Sequence, residues 1–204
     1  MVRIGLVMLQ GARKAHIKAL NRASSATNIP IEIVELRNYA DLKDYKPTAI
    51  ILPGGESTTM RLTGNSKSSN LYPKLFDYIR KNPSLPVLGT CAGAILLADP
   101  GDGQKPLIDA KIYRNAYGNQ SESFQSDVFI KLFNNEFPGI FIRAPRFIEI
   151  GPEAEIIAEL NSEVVGIRTK NRVALTFHPE LSENINFHIW LLEMSKEHES
   201  ELKI

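Results

Sequence analysis

Short apolar runs alternate with helical stretches through the first half of this chain, and that alternation limits the possible folds more than any other feature. Arg3 to Leu9 reads as a strand, and Lys14 to Ser25 as an amphipathic helix with its lysines and arginine outward. Ile31 to Leu36 forms a second strand, and Ala49 to Leu52 a third that ends at Pro53-Gly54-Gly55. Leu71 to Lys81 is helical and stops before Asn82-Pro83, after which Val87 to Gly89 makes a fourth strand. Parallel neighbours need a long crossover, usually a helix, whereas antiparallel ones need only a tight turn. The β-α-β pattern therefore predicts a parallel sheet with helices on both faces. Sheets of this kind hold their sites at the carboxyl ends of the strands, and the glycine turns after the third and fourth strands lie at that edge.

The second half has a different rhythm. Val128 to Phe133, Ile140 to Arg143, Phe147 to Ile150, Glu155 to Leu160, Val164 to Arg168 and Arg172 to Phe177 are closely spaced strand candidates. They predict antiparallel additions beside the parallel core. A final helix from about Asn184 to His198 carries Phe187, Trp190, Leu191 and Met194 on one face, and the polar tail after it is expected to fray. Residues 63–70 and 99–105 read as polar loops. With no repeat and no long linker, the expected fold class is α/β, a doubly wound, mostly parallel sheet with antiparallel additions, in one domain over residues 1–204.

Composition excludes several classes of function. A net charge of +1 gives no electrostatic case for nucleic acid or an anionic membrane. No apolar run is long enough to span a bilayer, and MVRIGLVMLQ lacks a signal-peptide pattern and reads as a core strand. A single cysteine cannot form an internal disulfide, so a reducing, cytoplasmic setting is expected.

That cysteine is Cys91, in the stretch LPVLGTCAGAILLA at 85–98. Pro86 to Leu88 suits a buried strand, Gly89-Thr90 a tight turn, and Ala92 to Ala98 a helix. A side chain on such a turn projects from the sheet edge and lies at a helix N-terminus, where partial positive charge favours a thiolate. Serine hydrolases use a comparable G-x-S-x-G turn, and here it is G-T-C-A-G.

A thiol nucleophile needs a base, a group that orients the base, and an oxyanion site. Of the four histidines, His16, His188 and His198 fall on predicted helices without metal-ligand spacing and are expected to be solvated or packed. His178 ends the run Val173 to Phe177 and precedes Pro179-Glu180. In extended chain His178 and Glu180 would share a side, offering a base and its orienting carboxylate. A His-Pro turn with a surface glutamate is the equal alternative. Gly54-Gly55 would let the backbone approach a ligand closely, although a plain strand-to-helix turn capped by Ser57 or Thr58 fits as well. It does not match the G-x-G-x-x-G dinucleotide fingerprint.

Together, PGGES, GTCAG and FHPE, in that order, resemble class I (triad) glutamine amidotransferases. LQGA at 9–12, LPGGESTTM at 52–60, GTCAGAILLA at 89–98, RNAYG at 114–118, FIRAP at 141–145 and TFHPEL at 176–181 narrow the resemblance to the glutaminase subunits of pyridoxal 5′-phosphate synthase. The resemblance implies a flavodoxin-like sheet with Cys91 as nucleophile, His178 as base and then acid, and Glu180 holding the imidazole. It further implies an oxyanion site from Gly54, Gly55 and Ala92, and glutamine binding by Gly55, Glu56, Ser57, Arg114, Ile142 and Arg143. Arginine suits glutamine's α-carboxylate, although surface salt bridges would explain Arg114 and Arg143 without the resemblance. The implied partner is a (β/α)₈-barrel synthase that takes up the ammonia. No metal or cofactor is implied, since pyridoxal phosphate would be made on that partner. Gln10, in LQGA, is expected at the catalytic edge, sensing the docked synthase or simply forming a turn.

The competing enzyme class is a cysteine hydrolase of the DJ-1/PfpI type, which places its histidine close after the cysteine. Here position 92 is alanine and the histidine lies far downstream. A purely binding domain would be expected to lack a triad member.

Overall fold

A computed structural model of the chain describes residues 1–11, 13–114 and 123–202. Ala12 of LQGA and residues 115–118 of RNAYG lie outside the described residues. The first half alternates as its sequence predicts: β1 (Val2–Val7), α1 (Arg13–Thr27), β2 (Ile31–Leu36), α2 (Tyr39–Tyr45), β3 (Ala49–Leu52), α3 (Ser57–Gly64), α4 (Leu71–Lys81), β4 (Val87–Thr90) and α5 (Ala92–Ala98). The second half supplies β5 (Ala110–Tyr113), β6 (Ser123–Ile130), β7 (Asn135–Ile142), β8 (Arg146–Ile150), β9 (Glu155–Leu160), β10 (Glu163–Thr169) and β11 (Arg172–Leu175). A 3₁₀ turn at Pro179–Leu181 and α6 (Asn186–Glu201) follow.

Among the described residues nine strands form one sheet in the order β2-β1-β3-β4-β11-β10-β9-β6-β7. The pairs from β2 to β11 are parallel, and those from β11 to β7 are antiparallel. β11 comes from the second half yet pairs with β4, Leu175 opposite Thr90, so the two halves share one ladder. β5 and β8 form a separate two-stranded ribbon.

Strand pleating divides the core. Along β3, Ile50 and Leu52 face one side with Leu75, Phe76 and Leu96, while Ala49 and Ile51 face the other with Leu20, Phe187 and Leu191. Helices α2 to α5 therefore cover one face of the parallel region, and α1 and α6 the other. β3 and β4 are buried along their whole length, which is why they read as unbroken apolar runs.

Some elements differ from expectation. β1 stops at Val7, not Leu9, and β11 at Leu175, not Phe177. The β6–β7 hairpin starts earlier than Val128 and Ile140. Residues 123–127 of β6 are largely exposed and polar, and β7 opens on exposed Asn135 and Glu136 and carries Pro138 and Gly139, residues that mask a strand pattern. Helix α2 is short and is held by a capping box between Asn38 and Asp41. Part of the expected 63–70 loop belongs to α3, whose N-cap is Glu56 rather than Ser57 or Thr58.

Candidate active site

Cys91 lies between the end of β4 and the start of α5, with φ 50° and ψ −105°. A non-glycine residue in this region costs on the order of 1–3 kcal/mol, so the surroundings must hold it there. They do: the Cys91 amide donates to Leu175 O of β11 at 2.8 Å, and the Cys91 carbonyl accepts from Ala94 and Ile95 of α5. Its Sγ is 3.9 Å from the carbonyl oxygen of Ile142 at the end of β7. The Ala92 N–H opens α5, where helical N–H groups have no intrahelical acceptor.

His178 follows β11 directly, so the β4–β11 ladder sets its height relative to Cys91. Its amide donates to Ile140 O at 2.8 Å. The preceding Phe177 is buried in a cluster with Phe137, Phe141 and Phe187. His178 Nδ1 lies 2.8 Å from Glu180 Oε1, and both side chains are buried. The pair therefore meets, but not through extended chain: Glu180 is the middle residue of the 3₁₀ turn, which begins at Pro179. Proline suits the first position of a helical turn, where no N–H donor is needed.

Gly54 explains how the β3–α3 turn fits against this pair. A Cβ there would lie 2.4 Å from His178 Cε1 and 3.4 Å from Cys91 Cβ, so only glycine allows the approach.

Charge is arranged to match. Burial alone would lower the His178 imidazole, but hydrogen bonding and charge from Cys91 and Glu180 outweigh it and hold it well above its ordinary value. Burial alone would raise the Glu180 carboxyl, but the hydrogen bond and charge of the His178 imidazolium, with the His16 ring on its other side, outweigh it and hold the carboxyl low.

An open cleft of about 750 Å³ extends from this pair, within the range of small-molecule sites. Gly54, Gly55, Glu56, Ser57, Cys91, Arg114, Ile142, Arg143 and His178 all line it, as do Gln10 and Gly11. Glu180 lies behind His178, and Ala92 is buried at the start of α5. The Glu56 carboxylate caps α3 by accepting from the amides of Thr58 and Thr59 at 2.9 and 2.6 Å. Those hydrogen bonds hold its carboxyl down at about 2. The Glu56 amide donates to Gln10 Oε1 at 2.8 Å, which ties LQGA to the PGGES turn. Arg114 is steered by Asp99, at 3.3 Å, which also pairs with Arg61 at 3.1 Å.

Two histidines expected to be solvated or packed belong to this cluster. His16 Nε2 is 3.6 Å from Glu180 Oε1, and His16 Nδ1 is 3.1 Å from His188 Nε2. The available signal was that His16 falls on the same α1 stripe as the buried Ala19, Leu20 and Ala23.

Cys91, His178 and Glu180 thus gather at the carboxyl ends of parallel strands of an open α/β sheet, the arrangement that the resemblance to class I glutamine amidotransferases implies. Comparison with known proteins agrees: the profile of the SNO glutamine amidotransferase family matches residues 6–197, and the chain belongs to that family. It is 39% identical to the pyridoxal 5′-phosphate synthase subunit PdxT of Thermococcus gammatolerans, over 94% of this chain and 98% of the relative. It is 33% identical to the PdxT of Methanosarcina barkeri, over 94% and 97%. A crystal structure titled as a glutamine amidotransferase superposes with a TM-score of 0.78 at 33% identity, over 95% of this chain and 98% of that one. A glutamine amidotransferase from Thermotoga maritima shares the fold with a TM-score of 0.61 at 18% identity, over 100% of this chain and 86% of that one. Among the described residues no helix is long and apolar enough to cross a membrane.

Proposed function

We propose that this chain, acting as one glutaminase domain over residues 1–204, is the glutamine-hydrolysing subunit of a pyridoxal 5′-phosphate synthase in the cytoplasm. The observation that carries the reading is the buried His178–Glu180 pair, 2.8 Å apart, beside Cys91 at the floor of the cleft.

His178 takes the thiol proton to give a thiolate–imidazolium pair, and the Cys91 thiolate then attacks the side-chain amide carbon of glutamine. Glu180 stabilises the resulting imidazolium and fixes its tautomer. The tetrahedral oxyanion is met by backbone N–H groups of the Gly54-Gly55 turn and of Ala92. His178 then returns its proton to the departing nitrogen, ammonia leaves, and a thioester of glutamate remains. Water, deprotonated by the same imidazole, hydrolyses that thioester and regenerates the thiol. Arg114 and Arg143 flank the cleft, where a guanidinium suits the α-carboxylate, and Gly55, Glu56, Ser57 and Ile142 complete the glutamine site. The ammonia passes to a barrel-type synthase partner, on which pyridoxal phosphate is made.

The test is glutamate release from glutamine by the purified chain, alone and with its cognate synthase, beside Cys91→Ala. Release that depends on Cys91 and is stimulated by the synthase supports the reading. No release in either condition, from folded protein with a titratable thiol, overturns it in favour of another cysteine hydrolase.

A further inference from the structure

Behind the His178–Glu180 pair lies a second layer of titratable groups that the mechanism above does not use. His16 on α1 and His188 on α6 are both 0% exposed, and Glu180 is 5% exposed. Glu180 Oε1 is approached by two imidazoles, His178 Nδ1 at 2.8 Å and His16 Nε2 at 3.6 Å. His16 Nδ1 in turn lies 3.1 Å from His188 Nε2. The groups that face one another across α1, α6, the 3₁₀ turn and the β4–α5 turn are Cys91, His178, Glu180, His16 and His188.

The tautomers of this row follow from electrostatics. One of the two facing nitrogens of His16 and His188 must donate and the other accept. If His16 donated from Nδ1, its Nε2 lone pair would point at the Glu180 carboxylate, a repulsive contact inside a dry core. If His188 donates from Nε2, His16 accepts at Nδ1 and turns its Nε2–H toward Glu180, which is attractive. Either way His188 Nδ1 has no partner, and the second arrangement leaves only a lone pair there rather than a stranded N–H. His16 Nε2, at 3.6 Å from Glu180 Oε1, is beyond hydrogen-bond distance, so its hold on the carboxylate is electrostatic. We infer that His16 and His188 are positioning residues of the site: His188 donates to His16, and His16 presents Nε2–H to Glu180, holding it from the side opposite His178.

Neutrality is part of the device. A cationic His16 would compete with imidazolium His178 for the same carboxylate oxygen. Burial holds both rings below the ordinary imidazole range, His188 at about 3, so they orient Glu180 without neutralising its charge. His16 is thus argued to act through Glu180 rather than on the substrate.

Two measurements test this inference, and only the second rests on the function proposed above. Long-range ¹H–¹⁵N spectra of the full chain with ¹⁵N-labelled histidine read the tautomers directly. Neutral Nε2–H forms of both His16 and His188 are expected near neutral pH. His16 found as the Nδ1–H tautomer or as an imidazolium overturns the inference. In the complex with its synthase, His16→Met is expected to lower kcat for glutamate release by about 10–100-fold with KM unchanged, by analogy with residues that orient metal ligands. Without the Nε2–H, Glu180 protonates more readily, so the acid limb of the pH profile should move to higher pH. His16→Gln, which restores an N–H near that position, should recover most of the loss. Equal behaviour of the Met and Gln variants, or an unmoved acid limb, overturns the inference. If the wild-type complex releases no glutamate, the functional reading fails, while the tautomers still decide the row.

Discussion

At the scale of the residue, Glu180 is the most consequential side chain that does not face the cleft. It is buried and ionised, and its Oε1 is the acceptor for His178. Glu180→Gln keeps the shape but loses the charge that supports the imidazolium. Its glutaminase kcat is expected to fall by on the order of 10²–10⁴-fold, the scale seen when a triad carboxylate becomes an amide. An NMR titration should show the His178 imidazole moving down toward its ordinary range. An unchanged His178 titration would mean that Glu180 is not its electrostatic partner. Gly54 makes a second residue-scale prediction. The Cβ of Gly54→Ala would lie 2.4 Å from His178 Cε1, so the ring must shift. A displacement of about an ångström costs about 100-fold in rate, and circular dichroism should show the fold intact.

At the scale of the element, the site depends on how tightly α5 sits on the sheet. Gly93 lies in the first turn of α5, and a Cβ there would come within 1.9 Å of Leu52 O on β3. Neither backbone can yield without shifting the turn that carries Cys91. Gly93→Ala should therefore lose about 1–3 kcal/mol in denaturant unfolding and most of its activity with it. Full activity in that variant would show that the α5–β3 contact does not set the position of the thiol. Helices α1 and α6 meet on the opposite face, and their contact joins His16 to His188. The sequence marked α1 and α6 by their apolar stripes, but the pairing of those stripes depends on which face of the sheet each helix crosses. Helix α2 passed unnoticed because its capping box holds a helix of only seven residues, too short for a visible period.

At the scale of the whole molecule, the buried histidines should give the fold its pH dependence. His16 and His188 are held below the ordinary imidazole value of 6.5. Their contribution to stability is therefore full above about pH 6.5 and is lost as the pH falls, because the unfolded chain binds the protons first. Each of these two rings, while linked, should contribute about 1.4 kcal/mol per pH unit to that slope. His178 is raised, so its contribution is full below about 6.5 and declines as the pH rises. Thermal unfolding across pH is thus expected to peak near about 6.5, with the alkaline arm flattened in His178→Ala. An acid arm that begins only in the carboxylate range would show that the buried rings titrate normally.

The reach of the sequence by itself follows from range. Alternating apolar runs, glycine turns and the Cys91, His178 and Glu180 motifs record local constraints, because backbone conformation and strand burial are written in neighbouring residues. They determined the parallel core, the strand-to-helix turn at Cys91 and the family to which the chain belongs. Tertiary structure alone decided that β11 inserts beside β4, which brings His178 to Cys91. It also decided that Glu180 reaches His178 through a 3₁₀ turn, and that His16 and His188, far apart in the chain, close the row behind it. Those placements depend on burial against distant elements, and a short-range pattern carries no record of which distant element does the burying.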